Sequence, residues 1–163
     1  MLVAEGNVLR YLYAIVENLP LAAMVVLGTV MGWMAWPPLG AAYLGYFAIS
    51  IVLYWRIICP YCFHFGTPSC PSGYGGIAAR LFYPKDKKRF KEIFKKRVFI
   101  QYPNWFVPPL FGAYLLWTDF TWPVVAMMAT FLVIAFAVIP LVSRRIVCRK
   151  CGNRKNCPMG PKL

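Results

Sequence analysis

All six cysteines of this 163-residue chain fall in, or shortly after, two copies of one short phrase. Residues 56–62 read Arg-Ile-Ile-Cys-Pro-Tyr-Cys, and residues 145–151 read Arg-Ile-Val-Cys-Arg-Lys-Cys. Each copy is followed by a third cysteine that precedes a proline, Cys70 and Cys157. Two residues between cysteines make a knuckle whose thiolates turn toward one metal ion or cluster, and the N–H groups of the turn are available to the sulfurs. Gly152, directly after Cys151, suits such a tight turn. Inert thiols would lie inside the apolar runs, and none does. Structural disulfides are disfavoured in reducing cytoplasm, where the charge pattern below places both loops. The candidate ligands are therefore Cys59, Cys62, Cys70, Cys148, Cys151 and Cys157.

The pattern supports two kinds of centre. Cys59, Cys70 and Cys157 each precede proline, a step common where a chain leaves an iron–sulfur cluster, because proline brings no competing N–H and turns the backbone away. Tyr54, Trp55, Tyr61, Phe63, Phe65 and Tyr74 surround the first loop and lower its dielectric. The basic surroundings would stabilise a reduced cluster. A cubane [4Fe–4S] cluster takes four thiolates, which Cys59, Cys62, Cys148 and Cys151 could provide. Two clusters would need two further non-cysteine ligands. Zinc fits as a four-cysteine site or as two ions sharing six thiolates. His64, the only histidine, could complete a Cys3His site in the first loop or serve as a hydrogen-bonded neighbour; its counterpart 89 residues on is Asn153.

The elements that must position these loops belong to a membrane. The chain is 60% hydrophobic and 17% aromatic, and its charges are segregated. Of 18 Lys and Arg, 17 lie in residues 56–97 and 144–162, against five acids in the whole chain. A soluble nucleic-acid binder would distribute its basic residues over a polar domain, so no nucleic-acid partner is expected. Residues 1–18 read as an interfacial segment or as the first turns of a tilted span. Residues 19–55 read as a first transmembrane hairpin broken at Pro37-Pro38, where proline blocks the preceding turn. Residues 56–97 form the first cysteine loop and a basic amphipathic segment. Residues 98–142 form a second hairpin, whose first span is kinked or irregular at Pro103, Pro108 and Pro109 and whose connection is Thr118–Thr121. Residues 143–163 are the cysteine-rich basic tail. The expected fold is thus an all-α membrane protein of four transmembrane helices, built as two tandem hairpins, each followed by a three-cysteine metal-binding loop.

Both basic segments lie after an even number of spans, and the other two connections carry no Lys or Arg. The positive-inside rule then places the N-terminus, the central loop and the C-terminus in the cytoplasm of a cell with this protein in its inner membrane. Parallel repeats are related by an axis along the membrane normal, which would bring the cysteine loops together. In residues 85–97, Phe90, Ile93 and Phe94 share one helical face among lysines. This segment reads as an interfacial helix on anionic lipid, as a solvated loop, or as a dock for an acidic partner. Gly73-Tyr74-Gly75-Gly76 reads as a backbone nest or a flexible exit from the loop, and it is not a P-loop. One histidine allows no hydrolase triad, and membrane-depth charges for an ion pump are missing.

The spacing of the cysteines is similar to the fungal binuclear zinc-cluster motif, and Cys151-Gly-Asn-Arg-Lys-Asn-Cys157 resembles its basic second half. There a short linker joins the triplets, whereas 77 residues separate Cys70 from Cys148 here, so DNA binding is not carried over. Four spans with cytoplasmic cysteine–proline motifs also resemble the quinol-oxidising membrane subunits that serve periplasmic nitrate reductases, although the ferredoxin run C-x2-C-x2-C-x3-C is absent. The function expected from these residues is an electron-transfer subunit, not a complete enzyme. It would hold an iron–sulfur centre and work between a cytoplasmic partner and a membrane quinone or another subunit. A zinc-stapled scaffold or assembly factor is the alternative, and a soft-metal carrier a further one.

Overall fold

The computed structural model describes residues 2–67, 70 and 72–147. Among these residues every regular element is helical. Helix α1 spans Leu2–Ala35 and α2 Pro37–Ile57; short helices α3 (Tyr74–Leu81) and α4 (Phe90–Arg97) follow; then α5 covers Tyr102–Thr118, α6 Trp122–Val133 and α7 Ile139–Val142. The stretches Ala14–Ala35, Pro37–Tyr61 and Trp122–Arg145 are long and apolar enough to cross a membrane. The fourth apolar run is helical as well, but α5 has only 17 residues and is preceded by a 3-10 turn at Val98–Gln101. The N-terminal segment, read as interfacial or as the first turns of a tilted span, is continuous with the first span, and Pro20 sits inside that one helix.

Prolines account for the boundaries. Pro37 and Pro38 open α2 at positions whose N–H groups have no helical partner, so the chain reverses through the single residue Trp36. Pro140 lacks the N–H that the Phe136 carbonyl needs, and the turn just before it widens into a π-helix at Ile134–Val138.

The chain divides into two compact units. One comprises Pro20–Ile51 and Phe99–Pro140. Its core is Met24 and Met31 of α1 with Phe131 and Ala135 of the last span, lined by Trp105, Phe111, Leu115, Met127 and Met128. Small residues let the helices approach closely. A Cβ on Gly32 would lie 3.0 Å from the Cα of Gly40, and one on Gly28 would lie 2.7 Å from the Tyr43 ring. Trp33, Trp36, Trp117 and Trp122, near the two helix reversals, remain exposed, as expected of an aromatic belt.

Pro108 and Pro109 lie within α5 without breaking it. Pro108 cannot donate to the carbonyl of Asn104, and the Tyr43 hydroxyl from α2 donates to that carbonyl instead, at 3.1 Å. The Asn104 amide, 1% exposed, donates to Ser50 Oγ and to Gln101 Oε1 at 2.9 Å each, and Gln101 Nε2 donates to the Ser50 carbonyl. This network ties α2 to the start of α5 where the ladder is weakest. Tyr43→Phe leaves a buried carbonyl unsatisfied and is expected to lower stability by about 1 kcal/mol, read as a lower thermal midpoint in detergent with unchanged helix content.

The other unit comprises Met1–Leu19, Val52–Val98 and Leu141–Leu163. It contains the first cysteine loop.

Candidate metal centre

The Cys59–Cys62 knuckle forms as a 3-10 turn over Cys59–Tyr61, opened by Pro60. The Cys62 N–H closes it on the Cys59 carbonyl at 2.9 Å. Cys59, His64 and Pro60 are buried. Two lysines are parked on the rings flanking this turn: Lys85 Nζ lies 5.3 Å from the Tyr61 centroid and Lys87 Nζ 5.1 Å from that of Phe63. The Lys85 N–H donates to the Pro60 carbonyl at 2.9 Å, which holds the basic segment against the knuckle. Burial and then Lys87 depress the pKa of His64. The ring meets Phe63 edge-on at 5.8 Å.

From the knuckle the chain returns to Cys70 through hydrogen-bonded turns. The His64 carbonyl accepts from the N–H and hydroxyl of Thr67, and the Gly66 N–H donates to the Gly75 carbonyl at 3.1 Å. Gly73, at φ +76°, makes the left-handed step into α3. The Gly75 N–H then donates to Cys70 Sγ at 3.2 Å. Gly75 has no room for a side chain: a Cβ there would lie 2.5 Å from the His64 carbonyl oxygen and 3.2 Å from Cys70 Sγ. The glycine-rich stretch is therefore neither an anion nest nor a loose exit. It delivers a helix N-terminal N–H to a sulfur. This role was not assigned from the sequence, where the only hint was the density of glycines after Cys70.

Residues of α1 and α2 complete the surroundings. Asn18 Nδ2 donates to the Ser72 carbonyl at 3.2 Å, and the Tyr74 hydroxyl donates to Asn18 Oδ1. The Trp55 and Tyr74 rings are 5.9 Å apart. Glu17 Oε2 and Trp55 Nε1 are buried with no hydrogen-bond partner. Burial pushes the Cys70 thiol up, against the opposing pull of the Gly75 N–H, and the nearby Glu17 carboxyl adds to the rise. Burial, with Glu17 next, pushes Tyr74 up to about 12.

Cys59, Cys62 and Cys70 are present as thiols. Cys59 lies within electrostatic reach of both others. Among the described residues, however, no three Cys, His, Asp or Glu side chains converge closely enough to hold a metal ion. Cys148, Cys151 and Cys157 lie outside the described residues, as does the pairing of the two loops. No protein-family model, curated protein or solved structure matches the chain.

Proposed function

We propose that this chain is a multi-pass subunit of a redox complex in the inner membrane, whose two cysteine loops jointly hold an iron–sulfur centre on the cytoplasmic side. The observation that carries this reading is the seating of Cys70, with an N–H aimed at its sulfur by a glycine that admits no Cβ. Backbone N–H donors to sulfur tune cluster thiolates and are of little use to an inert thiol. One further observation suits a cation at this place: Glu17 Oε2 is a buried acceptor without a donor. In this reading Cys148, Cys151 and Cys157 of the second loop complete the centre. When bound, an iron–sulfur centre supplies one-electron chemistry. The chain supplies the thiolates, the hydrogen bond to sulfur, the lysines at the knuckle and the aromatic cover that limits water.

Four spans are required for both loops to share one face. The 3-10 turn at Val98–Gln101 and the 17 residues of α5 together reach about 33 Å, enough for a hydrocarbon core of about 30 Å. With the basic segments inside, both termini are cytoplasmic. Electrons would then pass between a cytoplasmic partner and a membrane quinone or neighbouring subunit.

Anaerobic purification tests this directly. The protein is expected to carry iron and acid-labile sulfide, with broad visible absorption that dithionite bleaches. Stoichiometric zinc in a colourless protein would replace this reading with the zinc-stapled scaffold, and readily exchanged copper with the soft-metal carrier. Cys59→Ser and Cys148→Ser are each expected to remove most of the metal, since both loops serve one centre. Full metal content in either variant would separate the loops.

A further inference from the structure

The segment between α2 and α5 presents an unusual combination of surfaces. Helix α3 buries Gly75 and Ala78 and exposes Ile77 and Leu81. Ile77 is 43% and Leu81 61% exposed, four residues apart on one helical face, and Tyr83 just beyond is 89% exposed. One reading of the sequence pattern, beside a solvated loop and a dock for an acidic partner, gives membrane contact to Phe90, Ile93 and Phe94 of α4. There the structure differs: Phe90 is buried and its ring packs 5.6 Å from that of Phe94. The exposed apolar ridge of this segment therefore lies on α3, while α4 shows its charged side.

The exposed charge of the whole segment is almost purely cationic. Arg80, Lys85, Lys87, Lys88, Arg89, Lys91, Lys95, Lys96 and Arg97 are all exposed. The two acids in the segment are already engaged. Asp86 caps the turn before α4 by accepting from the Lys88 N–H at 3.0 Å, and Glu92 pairs with Lys96 at 2.8 Å and Arg89 at 4.0 Å.

We infer that this surface binds the headgroups of anionic phospholipids. Ile77, Leu81 and Tyr83 enter the boundary between headgroups and acyl chains, and the α4 cations take the lipid phosphates. Two features favour lipid over an acidic protein. Both ends of the segment are tethered to apolar helices, at Tyr61 and at Tyr102, so the cations remain near the bilayer surface, where attraction persists over about 8 Å. In addition, exposed apolar residues on α3 and exposed cations on the next helix of the same segment supply the two kinds of surface that interfacial helices use. The inference does not depend on the metal centre.

The full chain, reconstituted in phosphatidylcholine vesicles, is probed with trace spin-labelled phosphatidylglycerol and, separately, spin-labelled phosphatidylcholine. The phosphatidylglycerol probe is expected to show several-fold preference for the motionally restricted lipid around the protein. Molar salt should reduce that preference, and the variant K88Q/K91Q/K95Q/R97Q should bring it close to the phosphatidylcholine value, with helical circular dichroism unchanged. A photo-crosslinking benzophenone amino acid at position 81 should label phospholipid. Equal restriction of the two probes, or a preference that survives the fourfold variant, would overturn the inference. So would labelling at position 81 that yields only protein adducts when cytosolic extract is present.

Discussion

Gly75→Ala is expected to strip metal from the anaerobically purified protein while leaving the membrane helices folded. The added methyl would sit 2.5 Å from the His64 carbonyl oxygen, a backbone atom, and 3.1 Å from Cys70 Cβ. Neither neighbour is the end of a flexible side chain, so α3 must move away from the knuckle. The movement pulls the Gly75 N–H off Cys70 Sγ and opens the turn that the Gly66 N–H closes. Overpacking of this kind costs about 1–3 kcal/mol, or on the order of a tenfold to hundredfold loss in metal affinity. The measurement is the metal-to-protein ratio after anaerobic dialysis against a chelator. Gly76→Ala is the matched control, because a Cβ at Gly76 meets nothing within 4 Å; it should retain metal and gain slightly in helix propensity. If Gly75→Ala holds metal as firmly as the wild type, the hydrogen bond to Cys70 has no bearing on binding.

Gly40→Ala should produce the reverse pattern, lower stability with metal retained. Gly40 packs against the backbone of α1: a Cβ there would lie 2.7 Å from the Trp33 nitrogen and 2.9 Å from the Thr29 carbonyl oxygen. The two helices are joined through a single residue, Trp36, so they cannot separate at that end to make room. A loss of about 1–3 kcal/mol follows, seen as a lower thermal midpoint in detergent. Gly45 lies on the same helix with nothing within 4 Å of its Cβ position, and Gly45→Ala should be neutral or mildly stabilising. An unchanged midpoint for Gly40→Ala would mean that the close approach of α1 and α2 is not what holds this hairpin. The contrast between Gly75 and Gly40 also separates loss of the centre from general unfolding. The first change alters a loop in one unit and the second a helix crossing in the other.

The all-helical character, the apolar runs and the break at Pro37-Pro38 were legible in the residue order, because each depends on composition or on a covalent property of proline. The three-cysteine phrase was legible for the same reason: the spacing of Cys59 and Cys62 specifies a knuckle whatever surrounds it. The residue order left open whether the N-terminal stretch is an interfacial segment or the first turns of a tilted span. Residues 2–18 and the first span are one continuous helix, since neither Glu17 nor Pro20 is a strong enough interruption in a long apolar run. Contacts between residues far apart in sequence could not be read at all. Nothing local states that the Tyr43 hydroxyl takes over the carbonyl released by Pro108, or that Asn18 holds the Ser72 carbonyl beside Cys70.

The amino-acid order by itself therefore determined which residues are apolar, that the chain breaks at Pro37-Pro38 and where the thiols lie along it. The tertiary structure alone decided which face of each short helix turns inward. Periodicity places Phe90, Ile93 and Phe94 on a common stripe but says nothing about what the stripe meets. Packing buried Phe90 and left Ile77 and Leu81 outside, and it also aimed the Gly75 N–H at Cys70. Such choices depend on shape and on hydrogen bonds between distant segments, and these exist only once the chain has closed on itself.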